Sequence, residues 1–433
     1  MKAVLFVAGE GLRLRPLTDT IPKPLLKLLG EPVIERTVKQ LHEFGTDDFI
    51  FITNYREEQI ETFIRNKFPN LSAKFIHQPE IKGTSNALLL ARDTIDEDYF
   101  ICVNGDCIYS PSLVRRTVEA AKNELISLGG KYTTDTEKYG IILINNENQI
   151  ENIIEKPPKS QLSKGYANIG IYSLNKEIFN VIENLEKNKQ TSPRGEYEIP
   201  DAISELLKNK EFKTKLIELE NEDYWFDIGR PWSLLDANET LLSHCKEDGR
   251  GEIEENVYIK GKAIIKEGAI IRSGTYIEGP VFIDEGADIG PNCYIRKNTY
   301  LGRKTRIGNG CEVKNSIIED ETHAAHLSYI GDSIIGPKCN LGAGTIVANL
   351  RLDKKTIPVM IKGKREDSER RKLGAIIGEG VETGINVSVM PGIKIGSNSW
   401  IGAGTMVTED IPPETIYYVT QTYTLKRKRK NAD

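Results

Sequence analysis

The chain has little of what a membrane, secreted or nucleic-acid-binding protein needs. No apolar run approaches the roughly 18 residues of a membrane span, which argues against insertion in a bilayer. The six cysteines, at 102, 107, 245, 293, 311 and 339, form no CxxC pair and no zinc-ligand spacing, and most fall in strand-like segments. They read as buried, reduced thiols rather than as a disulfide framework or metal site. Charged residues make up 28% and the net charge is −5, so no global excess of positive charge points to nucleic acid. The single like-charge run, Lys426-Arg427-Lys428-Arg429-Lys430, reads as part of a basic flexible tail over 420–433. Met1 is followed by a buried-strand pattern, Ala3-Val4-Leu5-Phe6-Val7, and not by a leader with a small-residue cleavage site. A cytoplasmic location is the expectation. At 433 residues there is room for roughly two or three domains with full cores.

What is present is a period. Eleven aliphatic residues sit six apart without a miss: Ile253, Ile259, Ile265, Ile271, Ile277, Ile283, Ile289, Ile295, Leu301, Ile307 and Val313. If such residues fill about a quarter of a chain, chance gives this roughly once in a few million for a fixed phase. The period resumes at Ile335, Leu341 and Val347, and again at Val389, Ile395, Ile401 and Val407, often with glycine next, as at Gly302 and Gly308. A hexapeptide repeat predicts a parallel β-helix over 252–419, in which each short strand buries one aliphatic residue and then turns a corner. Two stretches break it: Val313 to Ile335, an interval of 22 that six does not divide, and the basic loop Asn349 to Lys372. Both read as excursions, where binding groups collect.

Residues 1–238 read differently. Strand-like runs (Ala3–Ala8, Asp48–Thr53, Tyr99–Val103, Ile141–Ile144) alternate with amphipathic stretches (Val33–Phe44, Glu57–Lys67, Thr84–Asp93), predicting an α/β domain with a mainly parallel sheet. A helix over Trp232–Lys246 and a polar linker ending at Gly251 follow. In such sheets ligands sit over the carboxyl ends of the strands. The first strand runs into Ala8-Gly9-Glu10-Gly11-Leu12-Arg13-Leu14-Arg15-Pro16-Leu17-Thr18, with Lys23-Pro24 beyond. Glycines let the backbone approach a phosphate, and Arg13 and Lys23 can neutralise charge growing on a leaving pyrophosphate. The pattern is neither the dinucleotide GxGxxG nor the Walker GxxxxGKS.

At these residues the chain resembles the sugar-1-phosphate nucleotidylyltransferases, and the resemblance continues through residue 232. It implies a Rossmann-like mixed-sheet nucleotidyltransferase domain in which Ala8, Gly9 and Gly11 cradle a nucleoside triphosphate. Gln78 with Gly83-Thr84 would read a pyrimidine base, and Asp106 in Asn104-Gly105-Asp106 would bind Mg²⁺ together with Asp227 in Tyr224-Trp225-Phe226-Asp227. Gly140, Glu155, Lys156 and Asn168 would contact a hexose 1-phosphate. Two separated carboxylates suit this chemistry, since a bridging Mg²⁺ offsets the repulsion between two phosphates. Leu12 stands where threonine is common, and Ser85-Asn86 where alanine or glycine is usual.

In the second half, Ala325-His326-Leu327-Ser328-Tyr329-Ile330-Gly331-Asp332 and Asn340-Leu341-Gly342-Ala343-Gly344-Thr345-Ile346 resemble the acetyltransferase domain of the bifunctional glucosamine-1-phosphate acetyltransferase/N-acetylglucosamine-1-phosphate uridylyltransferase. Archaeal bifunctional sugar-1-phosphate nucleotidylyltransferase/acetyltransferases are similar across the whole chain, including Asn349-Leu350-Arg351 and Lys362-Gly363-Lys364-Arg365. The likeness implies a left-handed β-helix, a homotrimer with grooves between chains, and acetyl-CoA as donor. His326 would be the general base, a role that suits an imidazole. Arg296 and Lys314 would bind phosphate, Tyr329 and Asn340 the sugar, and Asn349 and Lys355 the sugar or acyl donor. Ala343 and Ala403 would lie against coenzyme A, with Ile385 in place of a small polar residue there and Leu350 in place of a tyrosine. His323 lacks a motif match and reads as a solvated loop residue. The alternative readings are a single-function nucleotidylyltransferase whose β-helix only trimerises or regulates, and a non-catalytic subunit. The presence of Arg13, Lys23, Asp106 and Asp227 together argues against the latter.

Overall fold

A computed structural model describes residues 1–188, 195–209 and 211–426; the basic run from Arg427 onward lies outside the described residues. The chain divides into two compact units, Met1–Thr240 and Leu241–Asp433.

In the first unit, strand Lys2–Phe6 is central and pairs in parallel with Asp48–Thr53 and Tyr99–Asn104, while Asp48–Thr53 pairs in parallel with Ser72–His77. Side chains alternate across this sheet. Ala3, Leu5, Phe49, Phe51, Ile101 and Val103 face a core shared with helices Val33–Glu43, Glu57–Lys67 and Pro111–Lys122. Val4, Ile50, Ile52 and Cys102 face the opposite core, shared with Thr84–Leu89, Ile178–Lys187 and Ile199–Leu206. Covered on both faces, the centres of Lys2–Phe6, Asp48–Thr53 and Tyr99–Asn104 are apolar, as their sequence suggested, whereas the edge strand Ser72–His77 is largely exposed. Each fully buried Leu or Ile contributes about 1.5–3 kcal/mol.

The other side of the sheet carries antiparallel pairs, as the mixed sheet implied by the resemblance requires and the residue pattern alone did not suggest. Gly165–Asn175 pairs antiparallel with Tyr99–Asn104, Ile126–Thr133 and Gly140–Ile144, and Gly140–Ile144 forms an antiparallel pair with Ile150–Glu155. The sheet is therefore mixed. A short connection, Asn145–Gln149, allows a hairpin but not a parallel crossover.

The second unit is built of three parallel sheets, with eight, nine and eight strands. Coils repeat every 18 residues, three hexapeptides, so that Ile253, Ile271, Ile289 and Ile307 pair in one sheet and Ile259, Ile277, Ile295 and Val313 in another. From Ile265 onward the periodic residues form one continuous core, with 0–2% of Ile265, Ile271, Ile277, Ile283, Ile289 and Ile295 exposed. Ile253 is 46% exposed, because it lies in the terminal coil. Glycine after the aliphatic position permits close stacking: a Cβ at Gly308 would overlap the carbonyl of Ala325 in the next coil. Asp248–Gly249, within the stretch read as linker, already pairs with Ala263–Ile265.

The first interruption is not an excursion. The core positions run Val313, Ile318, Ala324, Ile330 and Ile335, so two corners have each lost one residue and the coil shrinks from 18 to 17. An alanine in the aliphatic place at 324 further hides the period. His323–His326 and Tyr329–Gly331 are strands, and His323, expected in a loop, is an exposed strand residue. The second interruption does leave the coil. It carries the antiparallel hairpin Pro358–Ile361 with Lys364–Asp367, and a bridge between Leu350 and Lys372 closes its neck.

Candidate active sites

The first site lies where the carboxyl ends of Lys2–Phe6 and Tyr99–Asn104 meet. Gly105 donates its N–H to the carbonyl of Phe6 at 3.0 Å, which sets Asn104-Gly105-Asp106 beside the start of the glycine loop. Ala8 is buried, and Gly9 faces open space. Gly11 has φ +70°, and a Cβ there would press on Lys23 and Thr18 at 3.1 Å each, so glycine is needed on both counts. Thr18 Oγ1 donates to the Gly11 carbonyl at 2.9 Å, closing the loop.

Lys23 is buried, with Nζ 2.5 Å from Asp106 Oδ2 and 3.5 Å from Asp227 Oδ1. Asp227 reaches this position through a two-stranded ribbon, Cys107–Tyr109 with Trp225–Asp227, in which Asp227 pairs with Cys107. Burial alone would push the Asp106 carboxyl up and the Lys23 ammonium down. Each outweighs it for the other, so Asp106 is held below and Lys23 above its ordinary value. Donor atoms of Asp106, Cys107 and Asp227 lie within 4.8 Å of one another. Burial, then the two carboxylates, push the Cys107 thiol well up, and its Sγ–H donates to Asp106 Oδ1 at 3.6 Å. A neutral thiol is a poor partner for a hard cation, whereas two carboxylate oxygens suit Mg²⁺. The residues present fit that ion through oxygen alone.

The remaining expected positions form three groups. Gln78 follows the edge strand and is 2% exposed. Its Nε2 donates weakly to the Gly83 carbonyl at 3.4 Å, and its backbone carbonyl accepts from Asn54 Nδ2 at 2.7 Å. Gly83 has φ +117° and packs against the backbone of Tyr197, which accepts the Ser85 N–H at 2.9 Å, while Thr84 Oγ1 accepts the Ile199 N–H at 3.0 Å. On the antiparallel side, a Cβ at Gly140 would approach Glu155 Oε2 at 2.7 Å, and Lys156 Nζ is 3.5 Å from Glu155 Oε1. Asn168 sits at an irregularity in its strand, donating to Tyr172 Oη at 2.8 Å and accepting from the Gly170 N–H at 3.2 Å. Arg13 is exposed on the turn Leu12–Leu14 and has no side-chain partner among the described residues, whereas Arg15 pairs with Glu10 at 2.7 Å. Sequence reasoning did not single out Asn54, Cys107 or Tyr197. They act through backbone contacts or burial, which leave no motif.

The second site is a corner of the β-helix. His326, Ala343, Ile385 and Ala403 each lie two residues beyond the paired core positions Ala324, Leu341, Thr383 and Ile401, and so form one column through successive coils. Inter-coil bonds hold it: Gly344 N–H to the His326 carbonyl (3.2 Å), Asn386 N–H to Ala343 (2.8 Å) and Gly404 N–H to Ile385 (2.8 Å). The His326 ring is exposed and, among the described residues, has no side-chain partner. Ile385 is 56% exposed.

A polar cluster lies on the sheet that follows in the coil and at its far corner. Arg296 and Lys314 each follow a paired core residue, Ile295 and Val313, so they stack one coil apart. Arg296 pairs with Glu312 at 2.9 Å and lies over the Tyr294 ring at 5.3 Å, leaving its buried Nε without a partner. Lys314 Nζ is 3.1 Å from Asp332 Oδ2, and Asn349 Nδ2 donates to the same oxygen at 2.6 Å and to Tyr329 Oη at 3.0 Å. Burial raises the Tyr329 phenol above its ordinary value. Two expected members stand apart. Asn340 is exposed on another sheet, paired with His323, and the Lys355 side chain is exposed in the excursion, its N–H bonded to Asp353 Oδ1 at 3.2 Å. Asp332 and Glu312 were not singled out from the sequence, though Asp332 closes the quoted motif.

Comparison with known proteins agrees with this division. Residues 2–244 match the Nucleotidyl transferase family model and residues 277–393 the GMPPB C-terminal domain. The chain is 44% identical over 420 residues to "Bifunctional protein GlmU" of Methanocaldococcus jannaschii, covering 96% of this chain and 97% of that protein. It belongs to the bifunctional sugar-1-phosphate nucleotidylyltransferase/acetyltransferase family. A second member of this GlmU-type family, from Sulfurisphaera tokodaii, is 41% identical over 95% of this chain and 98% of its own length. The UTP–glucose-1-phosphate uridylyltransferase AglF of Haloferax volcanii is 31% identical and covers 56% of this chain and 96% of itself. The GlmU-type assignment makes the chain a bifunctional nucleotidyltransferase/acetyltransferase, and the Nucleotidyl transferase model falls on the mixed-sheet unit. Among the described residues, no helix is long and apolar enough to cross a membrane.

Proposed function

We propose that the β-helix transfers the acetyl group of acetyl-CoA to glucosamine-1-phosphate and that the first unit joins the N-acetylglucosamine-1-phosphate product to UTP, with dTTP as a second nucleotide, releasing pyrophosphate. The observation that carries the first step is the unpartnered His326 ring at the head of the Ala343–Ile385–Ala403 column, three residues before Tyr329 of the Lys314–Tyr329–Asn349 cluster. An extended pantetheine arm lies along the column, with its thioester end at His326. The imidazole takes a proton from the sugar amine as nitrogen attacks the thioester carbonyl, and the thiol leaves as coenzyme A. Arg296 and Lys314 meet the sugar phosphate, and Tyr329 and Asn349 bond the sugar. Asn340, on the sheet that carries His326, and Lys355, in the excursion, fit a groove shared with a second chain. A homotrimer is supported by the exposed apolar residues on the outer faces of the coils, Tyr258, Trp400 and Met406.

In the first unit, a sugar phosphate oxygen attacks the α-phosphorus of the nucleotide, and no protein nucleophile is needed. The glycine loop offers N–H groups to the phosphates, Gln78 bonds the base, and Gly140, Glu155, Lys156 and Asn168 hold the sugar. Arg13 and Lys23 offset charge on the departing pyrophosphate. Asp106 and Asp227 would hold Mg²⁺, which when bound offsets the repulsion between the two phosphates.

Thiol release from acetyl-CoA, with and without glucosamine-1-phosphate, tests the acetyl-transfer claim. No sugar-dependent release from the full chain, or an unchanged rate in His326→Ala, would sink it. A panel of nucleoside triphosphates against several hexose 1-phosphates tests the choice of UTP.

A further inference from the structure

Asp332 is the most heavily bonded side chain of the second site, and the motif reading assigns it nothing. It is 3% exposed. Its Oδ2 accepts from Lys314 Nζ at 3.1 Å and from Asn349 Nδ2 at 2.6 Å, and Oδ1 accepts from Asn315 Nδ2 at 2.7 Å. Its backbone is engaged too, since the N–H donates to the Lys314 carbonyl at 2.8 Å and the carbonyl accepts the Gly374 N–H at 2.8 Å. Gly374 lies where the excursion rejoins the coil and Asn349 where it leaves. The Leu373 N–H, bonded to the Asn349 carbonyl at 3.1 Å, ties the two ends.

The shortened corners create this arrangement. Asn315 and Asp332 take the same place in adjacent coils, with φ 46° and 51°, a left-handed conformation that Asn and Asp tolerate. An asparagine therefore satisfies the corner, as Asn315 does. A buried carboxylate at the second corner needs another reason, because it is costly unless paired. What distinguishes Asp332 is the ammonium it faces. The Lys314 side chain is 13% exposed, and Asp332 takes one of its three N–H donors, fixing where the others point.

We propose that Asp332 is a positioning residue for acetyl transfer, holding the Lys314 ammonium and the neck of the excursion as one unit against the sugar phosphate. The proposal rests on the acetyl-transfer reading above.

Full-length Asp332→Asn, Lys314→Met and the double variant are assayed for thiol release and, separately, pyrophosphate formation. In Asp332→Asn, KM for glucosamine-1-phosphate is expected to rise about tenfold or more, with KM for acetyl-CoA and pyrophosphate formation within about twofold. The double variant should match Lys314→Met alone, because Asp332 acts through that lysine. An unchanged KM in Asp332→Asn, a multiplicative double variant, or equal losses for both substrates overturns the proposal. If Asp332→Asn fails to fold, hydrogen exchange on Lys314→Met decides: loosened Leu373 and Gly374 amides support the coupling, and unchanged protection overturns it. A wild-type chain that releases no thiol removes the acetyl-transfer reading, and this proposal with it. An active wild type with an indifferent Asp332→Asn removes the proposal alone.

Discussion

The ammonium of Lys23 lies 2.5 Å from the carboxylate of Asp106, and it approaches Asp227 on the neighbouring ribbon at 3.5 Å. A cation thus relieves two converging carboxylates in the absence of substrate. Lys23→Met is expected to lower the nucleotidyl rate about 10²–10³-fold, the scale of losing one preorganised charge. Pyrophosphate formation at saturating nucleotide measures this, and thiol release in the same preparation should stay at the wild-type rate.

Asp106→Asn separates the two activities from the other direction. The change removes one of two carboxylates suited to Mg²⁺ while leaving the β-helix untouched. Pyrophosphate release should fall to near background with thiol release intact. Loss of both would mean that the two halves do not work independently.

His326→Ala should cost activity and not stability. The ring is exposed and unpartnered, so the urea midpoint should correspond to a change within about 0.5 kcal/mol. Thiol release should drop about 10²–10⁴-fold, the usual contribution of a general base.

Ile330→Ala tests the stacking of the shortened coil. Ile330 is 0% exposed and belongs to the continuous core of the β-helix. The cavity should cost about 2–5 kcal/mol, read from the urea midpoint of the second unit. A change near zero would mean that the trimmed coils are loosely packed.

Glu35 gives a pH signature. Burial would raise its carboxyl, but hydrogen bonds from Lys39 and Lys67, at 2.6 and 2.9 Å, outweigh burial and hold it below its ordinary value. A carboxylate depressed in the folded state stabilises above its unfolded pKa and loses that contribution as pH falls through the folded one. Wild type should therefore exceed Glu35→Gln in stability at about pH 7, and the gap should shrink below about pH 4. Paired urea melts at the two pH values check the sign.

The sequence determined a good deal. A period of six required a stack of coils with one core, since only that geometry returns every sixth side chain to the same interior line. The glycine loop with Arg13 and Lys23 was legible because its chemistry is carried by residue type at close spacing, whereas the acidic residues at 106 and 227 and the HLSYIGD run stood out through their likeness to known motifs. What the tertiary structure decided is which distant residues meet. Asp227 reaches Lys23 only because the ribbon pairs it with Cys107, and 120 positions separate them in the chain. The antiparallel part of the sheet followed from the resemblance and not from the residue pattern, because a strand's partner is set by where its connection can reach and not by its own pattern. The apparent break after Val313 was misread for a similar reason. Two one-residue deletions and an alanine hide a period that the stacked hydrogen bonds preserve, and the corners they shorten bring Asp332 to Lys314. Local periodicity reports which face a residue buries, and only packing in three dimensions reports against whom.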